Sequence, residues 1–194
     1  GLQAQVDRAR DAGHEVILQV PMEPFDYPAN DPGPQALLSG ATPEQNTERL
    51  RWALGRFSGY VGVMNLMGGK FTSTTEALRP MLAELRMRGL VFVDDGSSQR
   101  SLATRLAREL GLGHAAAVVT IDADPSPQRI DEALARLEER AGREGAVLAV
   151  ASPLPVTIER IVRWARDLEA RGISLVPVSA VITGDRADPV PPRS

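Results

Sequence analysis

The stretch Gly13-His14-Glu15-Val16-Ile17-Leu18-Gln19-Val20-Pro21-Met22-Glu23-Pro24 decides how the rest of the chain is read. Gly13 is a turn residue, and the apolar run behind it is broken by one polar residue, Gln19. Such a run predicts a parallel strand over residues 15–20, covered on both faces. A long loop then carries Glu23 and continues through Phe25-Asp26-Tyr27-Pro28-Ala29-Asn30-Asp31-Pro32-Gly33-Pro34 before the next helix opens near Pro43. Loops of that length in compact domains serve function or are disordered. Its prolines at 21, 24, 28, 32 and 34 each fix their own φ and restrict the residue before, so a stiff lip over a site is expected.

Working outward, residues 2–12 carry Leu2, Val6 and Ala9 on one helical face and stop at Gly13. Thr42-Pro43-Glu44-Gln45 supplies an N-cap, a proline at the first helical position and a capping-box partner for a helix over 43–57. A strand over 60–65 leads into the glycine turn Leu66-Met67-Gly68-Gly69-Lys70-Phe71-Thr72, and Ser73 with Glu76 reads as a second capping box for a helix ending at Arg88. A strand over 90–93 delivers Asp94-Asp95-Gly96-Ser97, followed by a helix over 98–110, a strand over 116–121 and the turn Asp122-Ala123-Asp124. Ser126-Pro127 caps a helix with Ile130, Ala133, Leu134 and Leu137 on one face. A strand over 146–150, a helix opened by Pro155 with Ile158, Ile161, Ala165 and Leu168, and a strand over 173–178 complete the pattern. Residues 185–194 hold too little apolar content to fold.

Strands that each follow a helix imply right-handed βαβ crossovers and a parallel sheet, open or closed into a barrel. With 194 residues and 43% hydrophobic content the chain is read as one domain over 1–184. Ligands of such sheets bind at the carboxyl ends of the strands. That rule selects Gln19, Glu23, Asn65, Lys70, Asp94, Asp95, Ser97, Asp122, Asp124, Ser152, Thr157 and Ser179.

The composition excludes several chemistries. A net charge of −3 with charges interleaved along helices argues against nucleic acid as a partner. The absence of cysteine removes disulfides, thiolate metal sites and cysteine nucleophiles, and suits an oxidising compartment. No run of 18 apolar residues is present, and the chain opens without Met directly in a helical pattern. It is therefore read as a fragment, with any targeting segment or membrane anchor upstream.

Both histidines, His14 and His114, precede strands, which puts each on the order of 15 Å from the ligand edge. A histidine zinc site or a Ser-His-Asp triad cannot be assembled there. Gly68-Gly69-Lys70 is no phosphate loop, because Met64 stands at the first glycine position and Phe71 replaces the Ser or Thr that holds magnesium. What remains is carboxylate chemistry. Asp94 and Asp95 could act as acid and base or hold a hard cation, or one of them could cap a helix while the other is solvated. Glu23 reads most simply as a solvated loop charge, and Asp122 and Asp124 as turn and cap residues.

Taken together, the stretches 13–18, Pro21-Met22-Glu23-Pro24, Asn65-Leu66-Met67-Gly68-Gly69-Lys70-Phe71-Thr72, Val93-Asp94-Asp95 and Ala151-Ser152-Pro153-Leu154-Pro155 resemble the divergent polysaccharide deacetylase family, a branch of the NodB-like carbohydrate esterases. The resemblance implies a distorted parallel (β/α) barrel whose first strand or strands, with an Asp-Asp metal motif, are missing here. It also implies an extracytoplasmic, periplasmic location and a cell-envelope carbohydrate as partner. Where metal-competent relatives carry histidine, this sequence has Gln19, Leu66, Ser152 and Leu154. Leucine cannot coordinate, and glutamine and serine are poor zinc ligands beside imidazole. No cofactor is thus expected within this chain, zinc or another divalent cation entering only if an upstream segment completes a site. Two expectations follow. In one, the protein binds glycan with metal-dependent deacetylation degenerate or lost. In the other, it is a hydrolase with Asp94 or Asp95 as general base, Asn65 polarising the carbonyl oxygen, and Gln19, Glu23, Lys70, Ser97 and Ser152 lining the substrate.

Overall fold

The computed structural model describes residues 1–184. The expected disordered tail over 185–194 lies outside them. The elements in chain order are α1 (Leu2–Asp11), β1 (Val16–Met22), α2 (Pro43–Leu54), β2 (Tyr60–Met67), α3 (Gly69–Thr72), α4 (Thr75–Met87), β3 (Val91–Asp94), α5 (Ala103–Leu110), β4 (His114–Thr120), α6 (Pro127–Glu144), β5 (Leu148–Val150) and α7 (Pro155–Ala165). Every strand pairing is parallel and the strands pair in chain order, β1-β2-β3-β4-β5. This is the α/β architecture that alternating helices and strands demand.

The chain packs as two compact units, one from Gly1–Ala116 together with 182–184, the other Ala117–Val181. In the first unit Leu18, Val20 and Met22 of β1, Val63 of β2 and Phe92 of β3 pack against Leu50, Leu54, Leu78, Leu82, Leu85 and Leu106 of the helices. Gly62 lets β2 and β3 approach, since a Cβ there would stand 2.5 Å from Val91 Cγ2 and 2.6 Å from its carbonyl oxygen. In the second unit Ile121, Ile130, Ala133 and Leu134 form a smaller core that Leu137, Ile161 and Trp164 flank.

The structure departs from the sequence expectations in several places. β1 is covered on one face only: Gln19 is exposed, and Ile17 and Pro21 are half-buried. An apolar run does not reveal whether remote segments cover one face of its strand or both. Residues 173–178 do not form a strand. Leu175 is 64% exposed, 3-10 turns occupy Glu169–Arg171 and Val178–Val181, and Pro177 has no N–H to give a ladder. The capping box at Thr42 and Gln45 is present, whereas the one expected at Ser73 and Glu76 is not. The hydroxyls of Ser73 and Thr74 instead donate back to the Lys70 carbonyl, which closes α3. α5 begins at Ala103 and not near Ser98, and Ser126 stands at the N-cap of α6 without its side chain capping the helix. On α7, Ile161 packs inward as expected, but Ile158 is exposed.

Candidate functional site

In the first unit, Glu23, Asn65, Lys70, Asp94 and Asp95 lie at or just beyond the carboxyl ends of β1, β2 and β3. Glu23 is no solvated loop charge. It is 5% exposed, and its Oε2 accepts from the Ser39 N–H at 2.6 Å and from the Ser39 hydroxyl, while Oε1 accepts from Lys70 Nζ at 2.8 Å. Its carbonyl oxygen accepts from the N–H groups of Lys70 and Phe71, both at 3.1 Å. The loop after β1 is thereby tied to the turn after β2. Gly68, at φ +87°, makes the close approach possible, because a Cβ there would sit 2.8 Å from Met22 Cβ. Burial pushes the Glu23 carboxyl up, but the hydrogen bonds from Lys70 and Ser39 outweigh it and hold the group below the ordinary carboxylate value.

Asn65 is buried and uses both ends of its amide. Nδ2 donates to the Met67 carbonyl at 2.7 Å and Oδ1 accepts from the Asp95 N–H at 2.9 Å. So placed, it positions Asp95 and keeps one amide N–H beyond the bond to Met67. Asp94 is likewise buried and committed, Oδ1 accepting from the Gly96 N–H at 2.9 Å and Oδ2 from the Ser101 hydroxyl. Ser101 Oγ in turn accepts from the N–H of Ala103, the first residue of α5. Asp95 is half-buried, and only its Oδ1 accepts a hydrogen bond within the described residues, from the Ser97 N–H at 2.9 Å. Of the two aspartates, Asp95 is therefore the one able to meet a ligand. Ser97 is exposed beside it.

The reading of the sequence missed three residues of this edge. Ser39 and Ser101 gave no signal, since a hydroxyl sixteen or seven residues from its partner looks like any loop serine. Phe25 could have been noticed as an aromatic in a chain with 4% aromatic content. Its ring is 51% exposed, lies against Gly69, where a Cβ would come 3.0 Å from two ring carbons, and has Arg100 Cζ 5.1 Å from its centroid.

Other selected residues lie elsewhere. Gln19 is exposed on β1. Ser152 and Thr157 belong to the second unit, where the Ser152 N–H at 2.8 Å and the Thr157 hydroxyl at 3.0 Å both donate to Asp122 Oδ2. Asp124 Oδ1 accepts from the Ser126 N–H at 3.0 Å, a bond that holds its carboxyl below the usual range. Ser179 lies in the 3-10 turn Val178–Val181. Both histidines stand at amino ends. His14 lines a polar cleft of about 490 Å³ with Asp7, Arg10, Asp11 and Glu15, and the buried ring of His114 has Nδ1 3.2 Å from the Leu112 carbonyl.

The donors at the carboxyl edge do not fit zinc. Asp94 and Glu23 have both carboxylate oxygens bonded to protein donors, and in this unit positions 19 and 66, where the resemblance puts histidine in metal-competent relatives, hold Gln and Leu. Among the described residues no group of three or more His, Asp or Glu side chains is placed to hold a metal ion.

The fold and this edge define a NodB-like α/β protein of the distorted parallel (β/α) barrel class. The family profile for divergent polysaccharide deacetylases matches residues 1–182, and the chain belongs to that family. It is 26% identical over 189 residues to the uncharacterized protein YibQ of Escherichia coli K12, covering 96% of this chain and 58% of that protein. An uncharacterized protein of Haemophilus influenzae is 22% identical over 165 residues, again across 58% of its own length. The chain thus spans a little over half of the curated relatives it matches. The crystal structure of the uncharacterized protein ATU2773 from Agrobacterium tumefaciens C58 is 39% identical, with a TM-score of 0.91 over 93% of this chain and 74% of that one.

Proposed function

We propose that this protein is a carbohydrate-binding member of the divergent polysaccharide deacetylase family that works outside the cytoplasm on a cell-envelope glycan, with metal-dependent deacetylation lost. The observation that carries the reading is Phe25: an exposed aromatic ring, held by Gly69 and Arg100 at the carboxyl edge of a parallel sheet. Sugar C–H faces stack on such rings while hydroxyls take polar partners around them. Asp95 offers an acceptor oxygen, Ser97 a hydroxyl and Lys70 an ammonium that is 46% exposed. The Glu23 to Lys70 and Asn65 to Asp95 bonds position these groups before any ligand arrives, which reduces the ordering that binding requires. The resemblance supplies the envelope and the periplasmic location. Among the described residues no helix is long and apolar enough to cross a membrane.

One observation favours a second reading. The free oxygen of Asp95 is suited to a general base acting on water, in a hydrolase whose metal is completed by upstream sequence. The protein should be incubated with acetylated chitin and peptidoglycan oligomers, with and without zinc, while binding is measured by calorimetry. Binding without acetate release is the expected result. Acetate release that a chelator abolishes establishes the second reading and ends the first.

A further inference from the structure

Arg100 stands on a loop whose backbone is braced at almost every residue. Between the end of β3 and the start of α5, the Gly96 N–H donates to Asp94 and the Ser97 N–H to Asp95. The Arg100 N–H donates to the Ser98 hydroxyl at 3.3 Å, and the Ser101 N–H to the Ser98 carbonyl at 3.2 Å. From this base the Arg100 side chain, exposed to solvent, reaches over the Phe25 ring, with Cζ 5.1 Å from the centroid. Phe25 is held in turn against Gly69, and Ser98 Cβ lies 3.8 Å from where a Cβ of Gly69 would stand. Arg100, Phe25 and Ser98 are thus gathered about Gly69, next to Lys70 at the carboxyl edge. Phe25 stays 51% exposed, so a sugar has room on it beside the guanidinium.

A guanidinium stacked on an aromatic ring has its flat face occupied and its in-plane N–H groups available. Those of Arg100 make no hydrogen bond and no ion pair among the described residues. Lys70, also at this edge, differs: its ammonium is already bonded to Glu23 at 2.8 Å. The stack and the braced backbone hold the Arg100 fork before a ligand arrives, so little side-chain entropy is left to lose on binding. A planar, two-pronged donor of this kind matches a carboxylate. One uncommitted positive charge balances one negative charge, whereas a phosphate monoester carries about −1.5 to −2 at neutral pH. Asp95, on the same loop and with one oxygen lacking a protein donor, would repel the second charge while accepting a sugar hydroxyl.

We propose that Arg100 receives a carboxylate borne by the bound glycan, so that this edge selects acidic sugars over neutral ones. This rests on the carbohydrate-binding reading above and names the substrate class. The full chain is titrated calorimetrically with peptidoglycan glycan strands freed of peptide, their lactyl carboxylates either left as acids or converted to methyl amides. Wild type, Arg100→Gln and Arg100→Lys are compared. The ratio of the two affinities is the readout, because Arg100 also holds Phe25 and its loss weakens binding of both forms. Wild type should favour the acid about tenfold, and Arg100→Gln should bring the ratio to about one. Arg100→Lys keeps the charge but not the fork and should lie between. In wild type carrying ¹⁵N-labelled arginine, the Arg100 Nε–H resonance should shift with the acid and stay in place with the amide, a measurement that needs no variant to fold. Equal affinity of wild type for acid and amide overturns the selectivity and leaves the carbohydrate reading in place, as does a preference that survives undiminished in Arg100→Gln. Wild type that binds no oligosaccharide overturns both.

Discussion

Glu23 and Lys70 show how single side chains build this edge. The carboxylate is buried and takes donors from Ser39 and Lys70, so its ionised form is favoured in the folded state over the unfolded one. The sign follows from that: the stabilisation is complete above the ordinary value of 4.5 and is lost as pH falls through the lowered folded value. Glu23→Gln should therefore cost about 1 kcal/mol at neutral pH, a small figure because Lys70 is half in solvent. Denaturant melts of both proteins along a pH series check this, and a stability gap that widens in acid refutes the assignment. Asn65→Ala strands the Asp95 N–H and the Met67 carbonyl and should cost about 2–3 kcal/mol in the same assay. It should also weaken glycan binding, since Asp95 loses its anchor. Asn65→Asp keeps the acceptor and loses the donor, and should lie between the two.

At the scale of elements, the strand ends are joined by side chains that reach one strand over. Asn65 joins the end of β2 to that of β3, and Asp122 joins the residues beyond β4 to those beyond β5. Helices are tied in a comparable way: Glu84 of α4 accepts from Arg51 of α2 at 3.2 Å and from Arg88 at 2.7 Å, and Arg88 is the first cause of its lowered carboxyl pKa. Between β2 and β3 there is no room for a side chain at Gly62, since the obstruction includes the Val91 backbone. Gly62→Ala should lower stability by about 1–3 kcal/mol, because a neighbouring strand cannot move aside as a flexible side chain can. A melting temperature equal to wild type contradicts that contact. Whether a strand is covered on one face or two is also decided at this scale. The run from Val16 to Met22 announced a strand but not that Gln19 would face outward, because coverage depends on partners distant in sequence.

For the whole molecule, the sizes of the two cores predict unequal local stability. The first unit buries Phe71, Phe92 and thirteen leucine, valine and methionine side chains in its core, whereas the second relies on Ile121, Ile130, Ala133 and Leu134. Amides of α6 and α7 should exchange with solvent faster than those of β1, β2 and β3, by at least about tenfold in native-state hydrogen exchange. Equal protection throughout would show that the two units open as one. What this sequence determined by itself is the local and periodic part: helix starts at Thr42 and Pro155, strands expected over 15–20 and 90–93 and found at Val16–Met22 and Val91–Asp94, a parallel sheet, and the exclusion of both histidines from the carboxyl edge. Those follow from propensity, capping and the two periods of helix and strand, all properties of neighbours in the chain. Only the tertiary structure decided that Glu23 is buried against Lys70, that Asn65 ties β2 to the Asp95 backbone, that both oxygens of Asp94 meet protein donors while Asp95 keeps one without, and that Asp122 holds one with no donor. The physical reason is that hydrogen-bond satisfaction depends on which groups from remote segments arrive within about 3 Å, and no pattern along the chain encodes that distance.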